Sequence, residues 1–228
     1  MADIVLLDEI HANTRRTRIT YRGVVDGKPA AIKCYRKPLF GLVHWARAQR
    51  RGAQIRQASA PVPPVVFSGW LKAERCFCFA TAFLEGYRPL RLALREAPSR
   101  ESQLVAIQLL GQTMAEIHRK GIEQPDGNLT NFMLGPQHDI AMVDEDDIRV
   151  SRNALPAARA MSNLANIAAR LPDTAMREAL LENYRNAADA RQLAQWDTVQ
   201  FWRATEGWTT QLEAKRIKRS IAPKRHFD

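Results

Sequence analysis

Three polar residues near the middle of the chain have the types and spacing of a metal-phosphate site. Asp126 lies in a Pro-Asp-Gly turn, Asn131 follows five positions later, and Asp144 follows Asn131 by thirteen positions. Oxygen ligands of this kind suit Mg²⁺, which proteins commonly bind through one or two carboxylates together with phosphate oxygens of a substrate. The spacing therefore indicates chemistry on a phosphate group assisted by Mg²⁺.

A short hairpin is needed to bring these residues together. Two apolar runs, at 131–134 and 140–143, flank a Gly-Pro turn, and this pattern predicts two short paired strands. In an antiparallel hairpin the start of the first strand lies beside the end of the second. We therefore expect Asn131 and Asp144 to meet at one edge, with Asp126 reaching the same edge from the preceding loop.

The N-terminal part of the chain predicts another hairpin. Two β-prone runs, at 18–25 and 29–36, flank an Asp-Gly pair, which is a strong signal for a tight turn. Lys33 lies in the second run and would share its face with Ala31 and Tyr35, because side chains alternate along a strand. Taken alone, a strand lysine is normally exposed to solvent.

A basic helix is predicted at 39–58, with Leu39, Val43 and Ala46 on its apolar side and an interruption at Gly52. From residue 27 to residue 73 the chain contains neither Asp nor Glu. Such a segment favours an anionic partner: lipid headgroups, phosphorylated sugars and nucleic acid all qualify. A basic surface that is merely solvated stays open as the alternative.

The second half of the chain has helical periodicity. A helix is predicted from Ser99 or Ser102 to Gly121, and Asp173 is a plausible cap for a later helix. His118 falls in the last turn of the first helix, where an imidazole complements the helix dipole, so we favour a structural role for it. These patterns predict a small β-rich half followed by a larger helical half.

Composition limits the classes of protein that the chain can represent. It has 228 residues, of which 46% are hydrophobic, and its apolar runs are far shorter than the roughly 20 residues of a membrane span. An acid near the N-terminus argues against a secretory signal, so we expect a cytoplasmic protein. We interpret the three cysteines as small buried hydrophobic residues.

The net charge of +10 is unevenly distributed. Residues 215–228 contain six Lys or Arg and one Asp, which gives +5 of that total. With residues 27–73, this tail would favour contact with the anionic surface of a membrane, where each basic residue contributes about 1 kcal/mol. No nucleic-acid motif is recognisable, so nucleic acid is the partner that we favour least.

The order of these features resembles the protein-kinase-like fold, and within it the bacterial lipopolysaccharide kinases that phosphorylate Kdo or heptose. That superfamily is marked by a strand lysine, a catalytic Asp with an Asn five positions later, and a metal-binding Asp after a hairpin. The resemblance covers roughly residues 15 to 165. It is carried by the sequences AIKCYR, ASAPVPPVV, TAFLEGYRPL, GQTMAEIHRKGI, QPDGNLTNFML and MVDEDDIRV.

The resemblance implies a bilobal α+β fold, with an N-lobe at 1–84 and a C-lobe at 85–228, and a phosphotransferase that uses ATP and Mg²⁺. The acceptor would be a hydroxyl of a lipopolysaccharide core sugar or a similar anionic molecule, presented at the inner membrane. The implied roles are phosphate binding by Lys33, proton acceptance by Asp126, Mg²⁺ binding by Asn131 and Asp144 with help from Asp146, and adenine contact by the backbone around Glu85.

The chain departs from the family pattern in three places. Gln124-Pro125 stands where a loop-supporting His-x is common, and the sequence HANTRRT replaces a glycine-rich loop. The predicted helix also lacks the acid that normally pairs with Lys33. Three alternatives stay open: an acid from elsewhere, such as Glu74 or Glu9, orients Lys33, the lysine is held in some other way, or catalysis is impaired. The alternative function is therefore a kinase-fold protein with weak or no catalysis, acting as a binding module.

Overall fold

The computed structural model describes residues 2–13 and 15–218, and this part of the chain forms an α+β protein with seven α-helices. The chain divides into two compact units. The first comprises Met1–Gln57 and Val62–Glu85, and the second comprises Ala58–Pro61 and Gly86–Asp228. The predicted α+β class is confirmed, whereas the basic residues from 219 onwards lie outside the described residues.

The first unit is built on one antiparallel sheet of five strands, in the order β1-β2-β3-β5-β4. The predicted hairpin joins β2 to β3 through Asp26 and Gly27, whose φ angles of 48° and 77° are those of a tight turn that suits the strand twist. The strands are β1 (Ile4–Ala12), β2 (Arg18–Val25), β3 (Lys28–Tyr35), β4 (Val65–Leu71) and β5 (Cys76–Ala82).

One face of this sheet forms a hydrophobic core that contains all three cysteines. Cys34, Cys76 and Cys78 are buried and form no disulfide. They pack in the same cluster as Ile32 and Ala80. Burial among apolar side chains raises the pKa of the Cys78 thiol to about 12. The interpretation of these cysteines as small core residues is confirmed.

The other face of the sheet is covered by α1 (Pro38–Gln57). The Trp45 ring stacks on the Phe77 ring with centroids 4.9 Å apart, and its Nε1 donates to Ser68 Oγ at 2.9 Å. The helix runs without a break through Gly52, which is buried. Close packing on the sheet thus outweighs the roughly 1 kcal/mol that glycine costs inside a helix.

The predicted apolar side of α1 is wrong. Val43 and Ala46 are exposed, and the buried positions are Gly41, Ala48, Gly52 and Ile55. Gly41 approaches the backbone of Tyr35 so closely that an added Cβ would lie 2.8 Å from its carbonyl oxygen. The inner face of α1 therefore consists of three small residues and Ile55.

The second unit is mainly helical. Its helices are α2 (Leu90–Arg95), α3 (Arg100–Arg119), α4 (Ala157–Ala168), α5 (Thr174–Ala187), α6 (Ala190–Leu193) and α7 (Thr198–Lys218). Its short strands are β6 (Arg88–Pro89), β7 (Ile122–Glu123), β8 (Phe132–Leu134), β9 (Ile140–Met142) and β10 (Arg149–Val150). They form a three-stranded sheet, β6-β8-β9, and a two-stranded sheet, β10-β7.

The helix ends follow from local capping signals. Ser99, and not Ser102, is the N-cap of α3, because its side chain accepts a hydrogen bond from the Ser102 N–H at 3.1 Å. Gly121 follows the helix with a φ of +76°, a backbone conformation that favours glycine. Asp173 caps α5 by accepting from Met176 N at 2.9 Å, as predicted.

The hairpin predicted at the centre of the chain is present as β8 and β9. Phe132 pairs with Met142 and Leu134 with Ile140, and all of these except Leu134 are fully or nearly buried. Met142 N also donates to the Pro61 carbonyl at 2.6 Å, which explains why residues 58–61 belong to the second unit. This hairpin positions the residues of the candidate site.

Candidate active site

The predicted site residues fall in both units. Asp126 lies in the loop after β7, and Asn131 ends a short 3₁₀ helix, Leu129–Asn131, just before β8. Asp144 is two positions beyond the end of β9, and Asp146 follows in the next turn. These four residues belong to the second unit, whereas Lys33 and Glu85 belong to the first.

Two hydrogen bonds tie Asp126, Asn131 and the strand before Asp144 into one frame. Asn131 Nδ2 donates to the Asp126 carbonyl at 3.2 Å, and the Asn131 carbonyl accepts from Val143 N at 2.9 Å. Asn131 is buried, so its amide is held in one orientation. Because Nδ2 is engaged, Oδ1 is the atom available as a ligand.

Asp144 has an uncommon backbone conformation. Its φ is +59°, in the left-handed region that residues other than glycine rarely adopt. Such a conformation costs on the order of 1 kcal/mol or more, and it persists where surrounding structure imposes it, often at functional sites. The strained position comes directly after Val143, which is the residue bonded to Asn131.

Gln124 supports the loop from inside. Its side chain is fully buried, and Nε2 donates to the Val143 carbonyl at 3.4 Å. The Asp126 loop and the strand leading to Asp144 are therefore bridged by this amide. At the place where the family pattern commonly has His-x, this chain thus supports the loop with the buried Gln124 side chain.

Helix α4 and the turn that follows it hold the same loop through three polar residues, Asn163, Asn166 and Arg170. Asn163 Nδ2 donates to the Gln124 carbonyl at 2.6 Å, and Asn166 Nδ2 donates to the Pro125 carbonyl at 2.7 Å. Both asparagines are buried. Two consecutive carbonyls of the loop thus accept hydrogen bonds from two asparagines of one helix, which meets the requirement that buried polar groups have partners.

The third residue, Arg170, contacts the carboxylate of Asp126 directly. Its Nη2 donates to Asp126 Oδ1 at 3.2 Å, and its side chain is only 12% exposed. Its Nη1 donates to the Asn166 carbonyl at 2.7 Å and also to Asn166 Oδ1. Burial lowers the pKa of this guanidinium, and the neighbouring Asp126 charge opposes that shift.

Asp126 is therefore oriented through one of its two oxygens. Oδ1 accepts from Arg170 and, at 3.2 Å, from the backbone N–H of Asn128. Within residues 2–13 and 15–218, no hydrogen bond to Oδ2 is seen. The proton acceptance predicted for Asp126 would therefore depend on Oδ2.

His118 is the innermost member of this polar network. Its Nε2 lies 3.0 Å from Asn163 Oδ1, and its Nδ1 lies 3.0 Å from the Tyr184 hydroxyl. Complete burial lowers the pKa of His118 to about 4, so the ring is neutral near pH 7. Its contacts orient Asn163, which is a structural role, but the predicted reason for that role is wrong: the buried ring is neutral and acts through hydrogen bonds, not through a charge that complements the helix dipole.

Lys33 lies on the face of the first sheet that α1 covers. It alternates with buried Ile32 and Cys34 on the opposite face, as predicted, and its strand partner is Phe79. Phe79 packs with Ala48 of α1. The helix that could supply an acid to this face is therefore in place, yet it contains neither Asp nor Glu.

The two acids suggested as substitutes each have an arginine partner. Glu9 forms a bidentate pair with Arg16, at 3.0 and 2.7 Å. Glu74 accepts from Arg36 at 2.8 Å. Both carboxylates therefore already balance a guanidinium charge in the first unit.

The loop between β1 and β2 is closed by its own side chains. Arg18 N donates to Asn13 Oδ1 at 3.0 Å, and Asn13 Nδ2 donates to Thr17 Oγ1 at 3.0 Å. Glu85 ends the first unit with an exposed side chain, and its N–H donates to the Phe83 carbonyl at 3.1 Å. Neither the loop between β1 and β2 nor the segment that ends at Glu85 contains a glycine-rich turn.

Sequence reasoning missed the residues that hold the loop. Asn163 and Asn166 lie three positions apart in a mainly apolar helix, so they share one face, and Arg170 follows Asn166 by four positions, in the turn after the helix. Polar residues on the buried side of such a helix need partners. This spacing was the available signal, although it could not identify which loop they contact.

The metal-ligand chemistry of the site fits Mg²⁺ only together with a substrate. In the part of the chain that the structure describes, no group of three His, Cys, Asp or Glu side chains is arranged to hold a metal ion. The predicted ligands are one amide and two carboxylates, and Mg²⁺ commonly completes such a set with waters and phosphate oxygens.

Neither a protein-family model nor a curated protein matches the chain.

Proposed function

We propose that this protein is a phosphotransferase that moves the γ-phosphoryl group of ATP to a hydroxyl of a lipopolysaccharide core sugar or a similar small anionic acceptor. The observation that supports this most is the frame linking Asp126 to Asn131 at 3.2 Å and Asn131 to Val143 at 2.9 Å. It fixes a candidate base and two candidate metal ligands relative to one another. Phosphoryl transfer depends chiefly on such positioning.

In this proposal Asp126 accepts the proton of the acceptor hydroxyl at Oδ2. The acceptor oxygen forms a bond to phosphorus as the bond from phosphorus to the ADP oxygen breaks. Arg170 keeps Oδ1 in place at 3.2 Å, so that Oδ2 is directed at the acceptor. General-base catalysis of this kind typically contributes about 10²- to 10⁴-fold to the rate.

The metal would be held by Asn131 Oδ1 and the Asp144 carboxylate, with Asp146 as a further ligand. When bound, Mg²⁺ neutralises charge that develops on the transferred phosphoryl group. The residues contribute orientation: the Asn131 amide is fixed through its Nδ2, and the backbone at Asp144 is held at a φ of +59°. Lys33 would bind the α- and β-phosphates.

The charge of the chain supports an anionic acceptor and an anionic membrane as partners. Residues 27–73 carry no acid, and the net charge is +10. Since a lipid-linked sugar core would be presented at the inner membrane, we place the proposed activity in the cytoplasm at that surface. Among the described helices, none has an apolar stretch long enough to cross a bilayer.

A second candidate function, a kinase-fold binding module with weak or no catalysis, is favoured by one observation. Helix α1 covers the Lys33 face without a carboxylate, while Glu9 and Glu74 are paired with arginines. In the family pattern an acid of this helix orients the strand lysine towards the phosphates, so the lack of Asp and Glu in α1 favours weaker stabilisation of the transition state. Nucleotide binding could then persist with little turnover.

One pair of measurements separates the two candidates. ATP affinity is measured with and without Mg²⁺, and transfer of labelled phosphate is measured with lipopolysaccharide core acceptors. Binding that requires Mg²⁺, is lost in Asp144→Asn and is accompanied by transfer supports the phosphotransferase. Binding without transfer to any core acceptor supports the binding module, and absence of nucleotide binding contradicts both.

A further inference from the structure

The outward side of α1 exposes large hydrophobic residues near the start of the helix. Phe40, Leu42 and Val43 are 63%, 46% and 45% exposed. The same helix buries Ala48 and Ile55 against the sheet, so its packing requirement is already met from the other side. Three exposed hydrophobic residues within four positions of one surface helix are a feature that folding alone does not explain.

Positive charge surrounds and continues this apolar group. The Lys37 ammonium lies 5.6 Å from the centre of the Phe40 ring. Arg47 and Arg50 are exposed, and their spacing from Phe40 and Val43 places all four on one helical stripe. Leu42 lies on the opposite flank of the exposed side, about 160° around the helix from Phe40. We call Phe40, Val43, Arg47 and Arg50, together with Lys37 just before the helix, the α1 outer face.

We propose that the α1 outer face is a docking surface for anionic phospholipid membranes. Phe40 and Val43 would enter the boundary between headgroups and acyl chains, and Lys37, Arg47 and Arg50 would contact the phosphate groups. A helix with an exposed apolar group beside basic residues suits this interface, and the absence of acids from residues 27–73 leaves no local repulsion. The proposal adds a specific surface to the membrane location proposed above, but it does not require catalysis.

The apolar part of the face distinguishes a membrane from nucleic acid. With nucleic acid as the partner, the basic residues would bind backbone phosphates, and the affinity would fall steeply with salt concentration. The exposed side chain of Val43 would contribute little to nucleic-acid affinity, because aliphatic side chains neither stack on bases in the manner of aromatic rings nor bind phosphate. With a lipid surface as the partner, both the basic and the apolar residues of the α1 outer face would contribute to binding.

The test is co-flotation of the full chain with vesicles of phosphatidylcholine, with and without phosphatidylglycerol. Arg47→Gln/Arg50→Gln removes two charges, and Phe40→Ser/Val43→Ser removes two apolar groups. The matched controls are Arg185→Gln/Arg191→Gln and Val105→Ser/Val199→Ser, which make the same changes at exposed positions of the second unit. Circular dichroism and thermal unfolding report that each variant is folded.

Wild-type protein is expected to bind only the anionic vesicles. Loss of the two arginines should weaken partitioning about 25-fold at low salt, since each basic residue contributes roughly fivefold. Loss of Phe40 and Val43 should weaken it at least about tenfold, with an effect that persists at high salt. Both control variants should bind as the wild type does.

Three results would overturn the proposal: outer-face variants that bind like the controls, equal binding to neutral and anionic vesicles, or binding to an oligonucleotide with none to vesicles. A tail-driven interaction would appear as the first of these. If the vesicle results are as expected but no phosphate transfer occurs, the docking surface stands and the proposed catalytic function fails. The two inferences are therefore tested separately.

Discussion

Arg170 donates to Asp126 at 3.2 Å from a side chain that is only 12% exposed. A guanidinium in this position is costly to bury, and breaking such a pair by removing one partner leaves the other charge without compensation. Here the cation is also bonded to Asn166, whose amide supports the same loop through Pro125. One helix end therefore fixes both the backbone and the carboxylate of the candidate base.

Asp126→Asn is expected to slow transfer strongly while leaving the chain folded. The amide keeps an oxygen that can accept from Asn128 N and Arg170, but it cannot take a proton from the acceptor. We expect kcat to fall about 10²- to 10⁴-fold, with ATP affinity changed less than about threefold. Transfer assays and nucleotide titrations measure these quantities. A variant that retains wild-type turnover would exclude Asp126 as the base.

Arg170→Gln is expected to lower kcat about tenfold or more with little change in the KM for ATP, because Arg170 positions Asp126 and does not bind the nucleotide in this proposal. Arg170→Lys should recover part of the loss, since it restores the charge without the second hydrogen bond to Asn166. Steady-state kinetics of both variants test this. The matched control is Arg185→Gln, at an exposed arginine outside the site; a similar fall in this control would refute a specific role for Arg170.

The sequence predicts the hairpin, the strand lysine and the helix caps because their signals are local. The Asp-Gly turn fixes β2 against β3, and Ser99 and Asp173 act within three residues of themselves. The approach of Asn131 to Val143 follows from the register of one short hairpin. These features needed no knowledge of distant contacts.

The inner face of α1 and the contacts of α4 could not be predicted in the same way. More than one side of α1 carries apolar residues. The side with Gly41 and Ala48 is the buried one, because small residues allow the helix to approach the sheet closely. On α4, Asn163 bonds Gln124 across 39 positions of sequence. The partner of such a residue is decided by tertiary packing, which periodicity does not encode.

His118 is expected to make stability depend on pH. Its pKa is about 4 in the folded protein, below its ordinary value of about 6.5, so the stability that it confers is present above pH 6.5 and is lost as the pH falls towards 4. Between pH 7.5 and pH 5 this loss is on the order of 2 kcal/mol. Urea unfolding of the wild type and of His118→Phe at both values isolates the effect.

The difference in unfolding free energy between the wild type and His118→Phe should be larger at pH 7.5 than at pH 5, because the variant has no imidazole to protonate. The matched control is His44→Gln, at an exposed histidine of α1, and its difference from the wild type should not change with pH in this way. If His118→Phe behaves like that control, a buried neutral histidine does not contribute to the pH dependence.

Gly127→Ala tests whether close packing of the loop on α4 positions Asp126. A Cβ added at Gly127 would lie 3.1 Å from atoms of Asn166 and Ile167, so either the helix or the loop must move by a few tenths of an ångström. Because Asn166 and Arg170 act on the loop from that helix end, we expect kcat to fall about tenfold, consistent with the sensitivity of catalysis to small displacements. ATP affinity should change little.

Gly207→Ala is the matched control for this substitution, since an added Cβ there meets no atom of the described chain within 4 Å. Gly207 lies inside α7, where alanine favours the helix by up to about 1 kcal/mol. We therefore expect a small rise in Tm with unchanged kcat. Should Gly127→Ala also leave kcat unchanged while retaining its Tm, the loop would tolerate displacement from α4, and the positioning role assigned to that helix would be wrong.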